Sequence, residues 1–250
     1  FTDNSVTGNH FDYRLASIFA LRDDLNLKLL YGTSYRSPNY IELYTESGSG
    51  ILFGNPDLEP ESLEGFDINL NYTPSERLTI DFTYFWNRTK DYIVLKRTDD
   101  AFETLSYFNS DGQEITGIEY EARVKPFDDF EVFVNASHLI SAVDKDTGDD
   151  LDYVVENIFN FGWSWRPVDS LLISNANRYT GDWAKADSFF VSNLSAYYRP
   201  PVKALDLELF LKVNNIFDQD YDYAEFVRRS IDTIPGGPGR SITGGFTMRF

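Results

Sequence analysis

The sequence has no cysteine, one methionine and two histidines among its 250 residues. Without thiols it can form neither disulfides nor thiolate metal centres. So few thioether and imidazole donors leave little with which to build a copper site. No apolar run approaches the roughly 20 residues that a membrane-crossing helix needs, and the mean hydropathy is −0.36. Basic residues are also scarce, 22 against 40 acidic ones, for a net charge of −18. Phosphate binding needs a basic footprint, so nucleic acid is excluded as a partner. The acids gather at Asp99-Asp100, Asp128-Asp129, Asp144 to Asp146 and Asp149-Asp150. None of these runs has the spacing of an EF-hand loop; they read as solvated turns, and no metal site is expected. Catalysis has little to work with either. His10 and His138 belong to no nucleophile set, and the Gly-x-Ser-x-Gly elbow is absent. Ser137 and Ser141, near His138, point to the other strand face or lie too far along it. No enzyme activity and no cofactor are expected.

Aromatic side chains are what the chain has in quantity: 16 Tyr, 21 Phe and 4 Trp. They fall into a pattern of period two. From the C-terminus backwards, Phe250, Met248, Phe246, Gly244 and Ile242 share one face of a strand, and Arg249, Thr247, Gly245, Thr243 and Ser241 share the other. Leu25-Leu27-Leu29-Tyr31, Phe66-Ile68-Leu70-Tyr72, Leu78-Ile80-Phe82-Tyr84-Trp86, Ile118-Tyr120-Ala122-Val124 and Leu207-Leu209-Leu211-Val213 repeat the pattern against polar partners. Half-apolar strands suit a soluble sandwich or a membrane β-barrel whose apolar face meets lipid. The stretches 171–180 and 189–199 alternate less well.

The connections separate these two readings. Tight ones occur at Asp23-Asp24, Pro74-Ser75-Glu76, Pro126 to Asp129 and Pro167 to Ser170, with a longer one at Pro200-Pro201. Proline presets φ and aspartate bonds its own backbone, so both suit turns. Longer irregular segments are expected between them, at 37–60, about 98–108, 143–156, 181–188 and 216–239. Short turns at one end and long loops at the other are the habit of an outer-membrane barrel. The fold class expected is therefore all-β: a transmembrane antiparallel up-and-down barrel, with about eleven strands. An antiparallel meander closes on itself only with an even strand count. An odd count leaves two edges that hydrocarbon cannot solvate. Residues 1–250 are thus expected to be the C-terminal part of a larger barrel domain in the outer membrane.

Four segments resemble the TonB-dependent outer-membrane receptors. They are Tyr35-Arg-Ser-Pro-Asn-Tyr-Ile-Glu-Leu-Tyr44, Gly54-Asn-Pro-Asp-Leu-Glu-Pro-Glu61, Val213-Asn-Asn-Ile-Phe-Asp-Gln-Asp-Tyr221, and Pro238-Gly-Arg240 leading to Phe250; Asn109 with Gly117-Ile-Glu119 is a weaker match. The resemblance implies a 22-stranded barrel of which this chain is the second half. It also implies an N-terminal plug, which this sequence lacks, and energy from the TonB–ExbB–ExbD complex acting through that missing part. The implied activity is import of a scarce nutrient, a ferric siderophore or cobalamin. An oligosaccharide cargo and a passive porin are the alternatives. Arg36, Pro38, Glu42, Gly54, Asn55, Pro56, Asn214, Asn215, Arg240 and Phe250 are expected to be scaffold rather than binding site. Ligand candidates are loop residues: Tyr40, Tyr44, Trp183, Tyr221, Tyr223, Phe226, Arg228 and Arg229. Their rings could stack on a metal chelate and their guanidinium groups pair with an anionic one. The same rings would equally serve as anchors at the membrane surface.

Overall fold

The computed structural model describes residues 2–4, 8–48, 50–99, 104–202, 206–225 and 231–249. In chain order the strands are β1 (Thr2–Asn4), β2 (Gly8–His10), β3 (Arg14–Arg22), β4 (Leu25–Arg36), β5 (Leu52–Phe53), β6 (Glu61–Ser75), β7 (Leu78–Lys90), β8 (Tyr92–Asp99) and β9 (Thr104–Ser110). They continue with β10 (Gln113–Phe127), β11 (Phe130–Asp144), β12 (Asn157–Val168), β13 (Leu171–Thr180), β14 (Phe189–Tyr198), β15 (Asp206–Asn214), β16 (Asp222–Ala224), β17 (Thr233–Pro235) and β18 (Ser241–Arg249). One short helix, α1 (Tyr40–Tyr44), follows β4. Eleven strands form a single wall in the order β18-β15-β14-β13-β12-β11-β10-β7-β6-β4-β3. Every pairing in it is antiparallel. This is the expected meander with the expected strand number, and β3 and β18 are its two edges.

Register carries the apolar face across the wall in continuous rows. Leu29, Ile68, Tyr84 and Ile118 share one row, and Leu27, Leu70, Phe82, Tyr120 and Ala136 share the row below. A slip of one residue would throw each of these side chains to the polar face, so the pattern itself specifies the pairing. In β18, Phe246 opposes Leu209 and Met248 opposes Leu207, while Thr247 opposes Glu208 and Thr243 opposes Lys212. Ile242 is 69% exposed and Phe246 68%, values that a water-facing surface would not tolerate over so many apolar rows. Phe250 lies outside the described residues.

The weak alternation of 171–180 and 189–199 has a structural cause. Asn175 and Asn177 stand on the apolar face opposite Trp163 and Phe161, and Ser192 opposes Asn177. Their amides are satisfied locally: Asn175 donates to Asn193 O at 2.9 Å and Ser192 Oγ at 3.2 Å, and Asn177 donates to Phe161 O at 3.1 Å. Hydrogen-bonded in this way, polar side chains can sit among rings without the penalty of a lost bond.

The short turns fall where the prolines and aspartates placed them, at one end of the wall. The long connections, at the other end, are more ordered than the sequence suggested. Of the segment around 98–108, the described residues belong to β8 and β9, which pair antiparallel and which β5 joins in parallel to make a three-stranded sheet. The segment 37–60 contains α1 and β5 rather than irregular chain alone.

Candidate functional site

The first long loop is closed by one side chain. Arg36, the last residue of β4, reaches Glu61, the first of β6, through Nε at 2.5 Å and Nη2 at 2.7 Å. Its Nη1 spans both carboxylate oxygens of Glu42 in α1, at 3.1 and 3.0 Å. A guanidinium fork suits this double bidentate arrangement because its donors are planar and fixed. The helix is only five residues long, so its start needs help. Asn39 supplies it as N-cap, accepting from the Ile41 and Glu42 amides, while Glu42 accepts from Asn39 N–H at 2.8 Å in a capping box. Pro38 is buried just before the cap.

The same loop is pinned to the second one. Asn55 N–H donates to Glu42 O at 2.8 Å, and its side-chain amide donates to Tyr107 O at 3.0 Å. Asn109 accepts from Glu59 N–H and returns a bond to Glu59 O, both at 2.9 Å. Glu61 also accepts from Ile93 N–H at 2.8 Å. Leu43, Leu58 and Ile93 bury themselves between these contacts, with Tyr107 packed against them. Gly54 lies so close to α1 that a Cβ there would sit 2.5 Å from Tyr44 N. Pro56 is exposed at the turn. On this platform Tyr40 and Tyr44 stand 5.2 Å apart, 78% and 50% exposed.

Three other ligand candidates come together elsewhere. Trp183 and Tyr223 have centroids 6.0 Å apart, and Tyr221 and Tyr223 5.8 Å. Phe189 joins them, stacked on Tyr221 at 4.4 Å. Sequence reasoning did not single out Phe189, which reads as the start of an ordinary strand. The close approach of the backbone at Gly236 and Gly237 covers the Tyr221 ring, and Gly236 N–H donates to Tyr221 O at 2.8 Å. Burial raises the Tyr221 phenol above its usual range, and the neighbouring Tyr223 adds to the effect. A hollow of about 330 Å³ opens beside the cluster, with Lys185, Asp187, Asp220, Tyr221 and Asp222 in its lining. The structure thus groups Trp183, Tyr221 and Tyr223, and holds Tyr40 and Tyr44 as a second pair. Phe226, Arg228 and Arg229 lie outside the described residues.

The remaining motif residues surround the return into the last strand. Asn215, at φ +50, exchanges bonds with Gln219: its side chain donates to Gln219 O at 2.8 Å and accepts from Gln219 N–H at 3.0 Å. Asn214 donates to Ser241 Oγ at 3.2 Å. Arg240 donates its backbone N–H to Asp218 at 2.6 Å, and its guanidinium lies 3.5 Å from the same carboxylate. On the polar face of the wall, Asn69, Asp81, Thr83, Glu119, Glu121 and Asn135 line a hollow of about 380 Å³ that sequence reasoning did not single out. His138 meets Asn157 through Nδ1 at 2.8 Å rather than either serine.

With this geometry established, comparison with known proteins is informative. Residues 1–216 match the family described as "TonB dependent receptor-like, beta-barrel". The chain is 32% identical over 91 residues to the iron-regulated outer membrane virulence protein of Vibrio cholerae, covering 35% of this chain and 14% of that protein. It is 23% identical over 199 residues to the ferrienterobactin receptor of Escherichia coli, covering 72% and 26% respectively. A crystal structure of the ferric enterobactin receptor of Pseudomonas aeruginosa in complex with enterobactin superposes with a TM-score of 0.79 at 20% identity, over 98% of this chain and 41% of that one. The chain therefore spans about a quarter or less of these curated relatives and about two-fifths of the superposed structure.

Proposed function

Because the chain belongs to the TonB-dependent receptors and is a β-barrel wall of the outer membrane, we propose that it is the C-terminal half of an active importer for a ferric siderophore. The observation that carries this reading is the eleven-stranded wall with two unpaired edges. Strands β3 and β18 run in the same direction, so a closed antiparallel barrel needs an odd number of further strands between them. Another eleven would complete the family's 22. In hydrocarbon each unpaired edge group is costly, which favours such a complement over an open sheet. The plug and the contact with TonB–ExbB–ExbD would belong to the part that supplies it. A passive porin fits less well, since the matching family is one of energised receptors. Two curated relatives are named for iron regulation and ferrienterobactin, which favours an iron chelate over a cobalamin or oligosaccharide cargo.

Within the site, Tyr40 and Tyr44 are the rings free to meet a ligand. The residues Arg36, Pro38, Glu42, Gly54, Asn55 and Pro56 hold α1 in place beneath them. Tyr223, 41% exposed, presents the accessible edge of the second cluster, with Trp183 and Tyr221 supporting it. Arg228 and Arg229 remain candidates from sequence for an anionic chelate. The test is equilibrium binding of ferric enterobactin to the whole receptor, with Tyr40→Ala/Tyr44→Ala against wild type. Loss of at least tenfold is expected. Unchanged affinity in a correctly folded double variant would remove these rings from the site. Binding of vitamin B12 in preference to the ferric catecholate would overturn the cargo assignment.

A further inference from the structure

Charge at the long-loop end of the wall is mostly of one sign. Residues 37–60 hold four acids and no base, 98–108 three and none, 143–156 six and one, 181–188 two and one, and 216–239 five and two. That is 20 acids against 4 bases, so −16 of the chain's net charge of −18 belongs to its long connections, with Arg228 and Arg229 included. Ion pairing leaves few bases at this end for an anion. Arg36 spans Glu42 and Glu61, Lys96 pairs with Asp146 at 2.9 Å, Lys145 with Glu114 at 3.8 Å and Arg240 with Asp218 at 3.5 Å. Lys185 lines the same hollow as Asp187, Asp220 and Asp222. By contrast Glu46 and Asp57, in the loop that carries Tyr40 and Tyr44, are exposed and make no ion pair among the described residues.

The exposed rings match this field. An aromatic face is electron-rich and attracts an ammonium or a guanidinium. Tyr40 and Tyr44, 5.2 Å apart and tilted by 53°, offer two such faces, and their own loop holds no base to compete for them. A field of one sign over a mouth also concentrates ligands of the opposite sign and speeds their approach. It opposes an anion in the same measure. We propose that the cargo is a ferric chelate that carries a positive charge, a protonated amine on a neutral iron-binding core, and that Tyr40 and Tyr44 receive the amine. This rests on the reading of the chain as part of a ferric-siderophore importer and narrows it. A ferric tris-hydroxamate core is neutral, so with an ammonium arm it suits the mouth. A ferric tris-catecholate is an anion and is disfavoured by the same field. Ferric enterobactin thus remains a probe of the iron-chelate class, bound more weakly than the ammonium-bearing chelate.

The experiment titrates the whole receptor with ferrioxamine B, a ferric tris-hydroxamate with a terminal ammonium, and with its N-acetyl and N-succinyl derivatives. These keep the core but carry no net charge and one negative charge, respectively. At low salt the affinity should fall in that order, by at least tenfold from first to last. The span should narrow at high salt, because the screening length drops from about 10 Å at 0.1 M to about 3 Å at 1 M. Tyr40→Ala/Tyr44→Ala should weaken binding of the ammonium form more than that of the acetylated form. Equal affinity for the three forms, the reverse order, or a span untouched by salt overturns the proposal. An equal loss for the ammonium and acetylated forms in the double variant overturns the contact with the rings. Binding of ferric enterobactin with none of the three hydroxamates bound overturns the charge assignment and leaves the importer reading standing. Binding of neither class of ferric chelate overturns both.

Discussion

Replacing Arg36 with Gln is the sharpest perturbation of the first loop. It removes contacts at 2.5 and 2.7 Å to Glu61 and at 3.0 and 3.1 Å to Glu42. Removing one partner of a fully buried ion pair costs about 3–5 kcal/mol, because the other charge stays buried and unpaired. Two facts reduce that figure. The Arg36 side chain is 45% exposed, so water screens part of the interaction. Glu61 also keeps the Ile93 N–H as a donor. The Glu61 side chain is nonetheless only 10% exposed, so an expected cost of about 2–3 kcal/mol is reasonable. It should fall on the platform of α1, β5, β8 and β9, not on the wall, since local units open separately. Native-state hydrogen exchange in the whole receptor would then speed up about 30- to 150-fold at amides such as Ile93, Asn55 and Glu59, with wall amides unchanged. Adding Glu61→Gln to Arg36→Gln should restore part of the protection, because it neutralises the stranded carboxylate. If the second substitution instead adds its full single-variant cost, the two groups act independently and the reasoning is wrong.

Arginine at Phe246, near the middle of β18 on the apolar face, should destabilise the folded receptor by about 2–4 kcal/mol in urea titrations in bilayers; Thr247→Arg, on the polar face, should cost much less. Asp146 accepts from Asp111 N–H at 2.6 Å and pairs with Lys96 at 2.9 Å, so the amide first and the ammonium second hold its carboxyl below the usual range. This tie between the second and third long loops is therefore complete above the ordinary Asp value of about 4 and is lost as pH falls through the lowered one. The protection factor at Asp111, corrected for intrinsic exchange, should fall in acid in wild type and show no such dependence in Asp146→Asn. Residues 1–250 expressed alone should give no compact, heat-modifiable monomer, and such a monomer would contradict the half-barrel reading. Folding restored by the complementary half would support it.

The wall was legible because its physics is one-dimensional: period two fixes the faces, and Pro and Asp fix the short turns. Where that failed, in 171–180 and 189–199, the cause was Asn175, Asn177 and Ser192. Their hydrogen bonds run to neighbouring strands and leave no periodic trace. The loops were legible only as motifs. Arg36, Glu42 and Glu61 could be quoted in order, but the fork that joins them spans 25 residues in sequence. The pairing of β5 with β9 and the stacking of Phe189 on Tyr221 are likewise long-range, and neither propensity nor spacing encodes them.

These long-range ties also bear on how a ligand would be held. Binding is costly when side chains must be ordered on contact, at about 0.5–1.5 kcal/mol for each rotamer-rich group. Tyrosine has only two side-chain torsions, and the helix that carries Tyr40 and Tyr44 is already fixed by a capping box, an arginine fork and the buried Leu43. Much of the ordering cost is therefore met during folding, before any ligand arrives. The second cluster achieves order differently: Tyr221 is stacked on one side by Phe189 and closed on another by Gly236. A ring used in that way stiffens its loop but offers less free face. Rigid support and open surface thus compete for the same aromatic groups. The chain resolves this by building the first platform from charged and aliphatic contacts, which leaves its two tyrosines exposed.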